Sequence, residues 1–318
     1  MPKIQYQSIN MRPWALELVQ KAIEIVTEYQ RLGYDLTLRQ VYYQFVARDL
    51  LPQSWVDPTT GSTNNQQSYK KLGDILGNAR MAGLMDWTAM VDRTREMNSN
   101  SHWTSPENII DAVVSQYMID KWEEQDHRPE VWVEKDALEG VVGTICKRLD
   151  IPYFSCRGYT SLTSIWANAQ RLKAVAAKGA TPVILHLGDH DPSGIDMSRD
   201  IEERVRLFMG THGDNLEFVR VALNMDQVEQ YNPPENPAKS TDSRFEDYKK
   251  KHGDSSWELD ALEPTVISAL IADKVSTYRN DRMYAKREKQ EETEKEQLRL
   301  VSDNWDNVVA RLEEQGGE

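Results

Sequence analysis

Apolar residues recur every three or four positions across residues 12–32, at Leu16, Leu18, Val19, Ala22, Ile23, Ile25 and Val26. They predict an amphipathic helix, with Gly33 placed to end it. Thr37-Leu38-Arg39-Gln40 has the form of a capping box, a Thr cap with Gln three residues on. It predicts a short helix from Leu38 to Arg48 carrying Val41, Tyr42, Phe45 and Val46. The Pro-, Gly- and Asn-rich stretch from Pro52 to Gln67 reads as a loop or a small β-wing. Another helix is predicted from about Tyr69 to Ala82, stopping at Gly83. Short helices around such a loop suit a helix-turn-helix or winged-helix module, and an arbitrary small helical domain has the same pattern. The polar break Asn98-Ser99-Asn100-Ser101 marks a domain boundary. Ser105-Pro106-Glu107 then opens a helix, with a cap and a proline in the first turn. It is predicted to run to about Gln125 on a stripe of Ile109, Ile110, Val113, Val114, Tyr117, Met118 and Trp122.

From Val131 the rhythm changes. Short β-prone apolar runs near 131–134, 152–156, 182–187 and 216–222 alternate with helical periods near 136–149, 161–178 and 195–209. Such alternation predicts an α/β domain with a mainly parallel, Rossmann-like sheet covered by helices. Pro233-Pro234-Glu235-Asn236-Pro237 reads as an irregular loop. Residues 280–314 are highly charged, with Leu298, Val301, Trp305, Val308, Val309 and Leu312 spaced along one helical face. They predict a solvated or partner-docking helix without chemistry of its own.

Two of the predicted strands end on acid. Val131-Trp132-Val133 stops at Glu134-Lys135, and Val183-Ile184-Leu185-His186-Leu187 runs into Gly188-Asp189-His190-Asp191-Pro192-Ser193-Gly194. Ligands of open parallel sheets bind beyond the carboxyl ends of the strands. Glu134, Asp189 and Asp191 are therefore expected at one sheet edge, as hard oxygen ligands for Mg²⁺. Asp189 and Asp191 lie too close for two like charges unless a cation sits with them. The plainer reading of Asp-x-Asp before a helix is capping, and Ser193 is a natural cap too. Lys135 suits contact with a phosphate or protonation of a leaving oxygen; a surface lysine paired with an acid has the same sequence. His190 is expected to project away from the two aspartates, and Asp196 to be first-turn helix charge.

Composition narrows the classes. The 318 residues carry a net charge of −13, which argues against a bulk electrostatic nucleic-acid binder, though most of the excess acid lies after residue 128. A small basic groove in the N-terminal part remains compatible, and Arg39, Arg80, Arg93 and Arg95 are its candidates; ordinary surface pairs of Arg80, Arg93 and Arg95 with Asp86 and Asp92 are the alternative. Two cysteines, Cys146 and Cys156, are too few for a zinc cluster or a disulfide framework. No apolar run reaches membrane-spanning length and the N-terminus lacks a signal-peptide core, so a cytoplasmic location without membrane association is expected. There is no Gly-x-x-x-x-Gly-Lys-Ser/Thr loop and no dinucleotide fingerprint, hence no ATP site in this chain.

Glu at the end of a first strand, followed by Asp-x-Asp at the end of a later one, resembles the signature of the Toprim domain of topoisomerases, bacterial primases and some nucleases. The run Gly188-Asp189-His190-Asp191-Pro192-Ser193-Gly194-Ile195 is similar to that of the topoisomerase VI A subunit and its meiotic double-strand-break relative. Glu258-Leu259-Asp260-Ala261-Leu262 resembles a run downstream of it in the same family. Arg39-Gln40-Val41-Tyr42-Tyr43 fits the Arg-x-x-Tyr/Phe-Tyr pattern of the family's winged-helix domain, and the resemblance puts Tyr43 in the nucleophile position. Neighbouring helical residues diverge by about 100°, so one tyrosine is expected in the core and the other projecting. The match spans roughly residues 35–275 and looks most like the stand-alone Mini-A proteins of bacteria, plasmids and phages.

The resemblance implies a winged-helix domain over 1–104, a Toprim domain with a lead-in helix over 105–279, and a charged C-terminal helix over 280–318. It implies cleavage and rejoining of double-stranded DNA, with a 5′ phosphotyrosine link formed by Tyr43. Arg39 and Lys135 would assist, and Mg²⁺, or Mn²⁺ in its place, would be held by Glu134, Asp189 and Asp191. A homodimer is implied, and a separate ATPase (B-type) subunit is a candidate partner. The alternatives are a Toprim hydrolytic nuclease using a metal-activated water and a non-catalytic DNA-binding protein.

Overall fold

The computed structural model of the chain describes residues 3–91, 102–238 and 241–316. In chain order the elements begin with α1 (Pro13–Arg31), α2 (Leu38–Ala47), α3 (Gln66–Met81) and α4 (Pro106–Gln116). Strand and helix then alternate through β1 (His127–Val133), α5 (Glu139–Leu149), β2 (Tyr153–Ser155), α6 (Leu162–Ala177), β3 (Thr181–Leu187), α7 (Pro192–Met209) and β4 (Glu217–Ala222). Next come α8 (Met225–Tyr231), β5 (Glu235–Pro237), α9 (Phe245–His252), β6 (Ser255–Trp257), α10 (Pro264–Ser276), α11 (Asp281–Asp303) and α12 (Trp305–Gly316). The architecture is mixed α/β, N-terminal helices followed by a parallel sheet.

Two compact units form, one of Met1–Arg95 with Arg128–Thr277, the other of Glu96–His127 with Tyr278–Glu318. This grouping differs from the division read from sequence. The N-terminal helices share a unit with the sheet, and the lead-in helix α4 joins the C-terminal helices. The expected boundary at Asn98–Ser101 lies outside the described residues.

In the larger unit, α1 buries Leu18, Val19, Ala22, Ile25 and Val26 of the stripe its periodicity predicts, together with Tyr29, while Leu16 is exposed and Ile23 only partly buried. Gly33 follows it at φ +83°, a conformation only glycine adopts without strain. The capping box forms: Thr37 Oγ1 accepts the Gln40 N–H at 3.3 Å and Gln40 Oε1 accepts the Thr37 N–H at 2.9 Å. Residues 52–67 hold a 3₁₀ turn at Gln53–Trp55 and no strand, so the β-wing option is not taken. Asn65 ends that loop by capping α3, accepting the Ser68 N–H at 2.9 Å. The core of these helices includes Ala261, from a 3₁₀ turn over Leu259–Ala261 far along the chain. That contact fixes α2 against the turn, and Tyr34 reaches Ser268 of α10 at 2.9 Å.

The sheet has the order β2-β1-β3-β4, with β1–β2 and β3–β4 paired in parallel. Trp132 and Ile184 pack with Ile165, Leu172, Ile201 and Val205 of α6 and α7. The alternate positions Val131, Val133, Val183 and Leu185 are buried on the other face, the side of α5 and α10. The chain leaves β1 toward β2 and then returns past β1 to β3. This reversal puts a topological switch point at the carboxyl ends of β1 and β3, the place where open α/β sheets bind ligands.

In the smaller unit, α4 packs on α11. It ends at Gln116, well short of Gln125, because the following segment has better partners. The Ile119 N–H donates to Glu291 Oε2 at 3.1 Å, and Lys121 Nζ meets the same oxygen at 2.8 Å. Trp122 is buried edge-on against Tyr284. The predicted single C-terminal helix is two helices, separated at Asn304. Of its predicted apolar face, Val301 and Leu312 are exposed, and α11 is anchored instead through Tyr284 and Glu291.

Candidate active site

Glu134 follows β1 directly and continues its ladder, its N–H donating to Leu187 O at 2.8 Å. Its Oε2 accepts the Asp189 N–H at 2.9 Å, so the two acidic strand ends meet as predicted. Gly188 makes this approach feasible: a Cβ there would lie 2.8 Å from Glu134 Oε2. Gly194 is equally constrained, since its Cβ would fall 2.3 Å from the Asp189 carbonyl oxygen. Asp191 is the N-cap of α7, accepting the Gly194 N–H at 2.6 Å and the Ser193 hydroxyl at 3.0 Å. Ser193, expected as a cap, sits instead within the first turn. Asp196, expected as first-turn charge, falls beyond the first turn of α7, which holds no acidic residue; it accepts from Arg199 and from the Tyr159 hydroxyl.

Beneath this turn lies Arg220 of β4, which sequence reasoning passed over. Its guanidinium donates to the carbonyls of Gly188 at 3.0 Å, Asp189 at 2.5 Å and Gly194 at 3.1 Å, and to Ser198 Oγ. One buried side chain thus ties down the loop that carries both aspartates. Its signal was faint, a lone arginine among the apolar residues that follow Glu217 in β4. His190 also packs inward as a supporting residue. Its N–H and C=O pair with Trp257 at 2.8 and 3.0 Å, and its Nδ1 lies 2.9 Å from the Tyr248 hydroxyl. Burial, with His252 and Arg220 nearby, pushes the His190 imidazole down to about 4, so it stays neutral.

Lys135 points into a knot of carboxylates. Its ammonium is 2.7 Å from Glu258 Oε2, 2.7 Å from Asp260 Oδ1 and 3.1 Å from Asp189 Oδ2. Of the surface-lysine alternative, the pairing with acid is found, but the side chain is only 18% exposed. Between those two acids, the Leu259 N–H donates to Asp189 Oδ1 at 2.7 Å. Arg39 of α2 approaches from the other side, 3.2 Å from Glu258 Oε2 and 3.4 Å from Asp260 Oδ2. Tyr43 lies one turn further along α2, its ring 6.0 Å from the Arg39 guanidinium and its hydroxyl facing Glu258. A continuous network runs from Tyr43 through Glu258, Asp260 and Lys135 to Asp189 within one chain. Tyr42 and Tyr43 are both only 3% exposed, contrary to the expectation that one projects. The Tyr42 hydroxyl is taken up by the loop, accepting the Asn65 N–H at 2.9 Å.

The electrostatics follow from burial. Glu134 is raised by burial first and then by the charge of Asp191. Asp189 is raised by burial and by Glu134 and Asp260, against the pull of Lys135. Burial alone would lower the Lys135 ammonium, but Asp260, Asp189 and Glu258 outweigh it and hold it charged. Burial and the nearby acids raise the Tyr43 phenol far above its ordinary range. The donor chemistry of Glu134, Asp189 and Asp191 fits Mg²⁺ or Mn²⁺: hard oxygens, those of Glu134 and Asp189 buried, whose mutual repulsion a cation would relieve. Among the described residues, however, no three His, Cys, Asp or Glu side chains group closely enough to hold a metal ion as they stand.

A cleft of about 640 Å³ lined by Arg157, Tyr159, Thr160 and Ser161 opens beside the end of β2, and Gly158 ties it to the Glu134 carbonyl at 3.2 Å. Arg80, expected in a DNA groove, lies over the Trp87 ring with its Nε buried. Arg93 and Arg95 lie outside the described residues. Cys146 and Cys156 are both buried free thiols, each pushed up to about 12 by burial. Among the described residues no helix is long and apolar enough to cross a membrane. Comparison with protein-family models, curated proteins and solved structures finds no match.

Proposed function

We propose that this chain is a divalent-cation-dependent DNA strand-cleaving protein of the topoisomerase VI A type, with Tyr43 as its nucleophile. The observation that most supports this is the joining of the acidic strand ends to the Arg39–Tyr43 helix through Lys135, Glu258 and Asp260. Glu134, Asp189 and Asp191 would hold Mg²⁺ or Mn²⁺, which when bound neutralises charge on the phosphoryl oxygens. Tyr43 Oη forms a bond to phosphorus, and the bond from phosphorus to the 3′ oxygen breaks, leaving a 5′ phosphotyrosine. The phenolic proton passes to Glu258, and Lys135 protonates the departing 3′ oxygen. Arg39 stabilises the phenolate before attack. In this reading Toprim and winged-helix parts meet at the site, a homodimer acts on double-stranded DNA, and a separate ATPase subunit is a partner to be sought.

The burial of Tyr43 favours a second reading, a hydrolytic nuclease in which water replaces the tyrosine. Incubation of supercoiled DNA with Mg²⁺ or Mn²⁺ separates them. The wild type is expected to cut, Asp189→Asn to lose all cation-dependent cutting, and Tyr43→Phe to lose it as well. Full cutting by Tyr43→Phe leaves only the nuclease; a DNA-binding protein without catalysis shows no cutting and no effect of Asp189→Asn.

A further inference from the structure

Both oxygens of Asp189 are already committed. Oδ1 accepts the Leu259 N–H at 2.7 Å, and Oδ2 faces the Lys135 ammonium at 3.1 Å. Lys135 is in turn held by Glu258 and Asp260, which Arg39 shares. Three carboxyl groups and two side-chain cations form a closed cluster. A divalent cation placed beside Asp189 with Lys135 still in contact would crowd like charges in a poorly solvated site, where Coulomb energies are large.

We propose that Lys135 is a resident counter-ion that gives up Asp189 to the divalent cation only when a nucleic-acid phosphate is present to receive it. The inference rests on the metal-dependent reading above and adds an order to it. Lys135 adjoins Glu134 in sequence and has a long flexible stem, so leaving Asp189 needs a change of rotamer and no movement of β1. Arg39, half exposed at 49% of its side chain, offers an entering phosphate its first contact. A polyanion that draws Lys135 and Arg39 away frees the carboxylates, and a cation on the carboxylates frees Lys135 and Arg39. Each ligand therefore raises the affinity for the other, by the same factor in both directions.

The test is calorimetric titration of the intact chain with Mn²⁺, with and without a short DNA duplex, subtracting the duplex alone and using Asp189→Asn to identify binding at this site. The wild type is expected to bind Mn²⁺ about tenfold or more tightly with duplex bound, within the usual range of coupling between sites. Lys135→Met is expected to bind Mn²⁺ without duplex about as tightly as the wild type does with it, and to gain nothing further from DNA. Lys135→Arg, which keeps the charge, retains the dependence on duplex. Equal wild-type affinity with and without duplex overturns the inference and leaves the metal site standing. Absence of any Asp189-dependent Mn²⁺ binding overturns both. The wild-type comparison needs no variant, so a Lys135→Met chain that fails to fold does not shield the idea.

Discussion

At the scale of the residue, the site depends on a close approach: the Glu134 carboxylate accepts the Asp189 N–H at 2.9 Å beside Gly188. Glu134, Asp189 and Asp191 stand out because acid at the end of an apolar strand is anomalous, and Glu134 and Asp189 do meet. Glycines were legible only as turn formers; their actual service is to leave space. Gly188→Ala puts a carbon 2.8 Å from Glu134 Oε2. That carboxylate must move, at a cost of about 1–3 kcal/mol for overpacking a tight site. Urea unfolding of Gly188→Ala is expected to show that loss, with Mn²⁺ binding weakened in the folded protein. Arg220 and the Glu258–Asp260 pair were missed as site residues because their work depends on partners remote in sequence. Glu258 lies 123 residues from Lys135, and no local pattern encodes that contact.

At the scale of the element, periodicity predicted α1, α2, α3 and the alternation from β1 to β4 closely, because each buries a regular stripe or carries a local cap. It overextended α4 and merged α11 with α12, where tertiary bonds outweigh propensity. The segment after α4 abandons the helix to satisfy Glu291, which receives the Ile119 N–H, Lys121 and, from its own helix, Lys295. Burial raises the Glu291 carboxyl, but those bonds prevail and hold it down at about 2, below its ordinary 4.5. The folded form is thus deprotonated where the unfolded form takes up a proton. The resulting stability is fully present above about pH 4.5 and is lost as pH falls toward 2. Glu291→Gln is expected to destabilise the α4–α11 pairing near neutral pH, and the gap from wild type should shrink as acid is added. Hydrogen exchange of the α11 amides, followed across that pH range in both proteins, measures it.

At the scale of the whole molecule, the resemblance led to three successive segments, whereas the chain folds into two units with the N-terminal helices and the parallel sheet in one. Sequence order does not show which elements share a core; Ala261 packing among α1, α2 and α3 does. That shared core brings Tyr43 toward the carboxylates of its own chain, and it makes the tyrosine a testable part of the same site. On the proposed reading, a chain of net charge −13 would hold DNA by a local surface, and the fall of binding with salt should match only a few phosphate contacts. The most direct measurement is mass spectrometry of the protein after incubation with DNA and Mg²⁺, followed by nuclease and protease digestion. The proposed mechanism predicts a nucleotide joined through its 5′ phosphate to Tyr43, absent from Asp189→Asn. Cut DNA with free 5′ phosphates and an unmodified Tyr43 would contradict it.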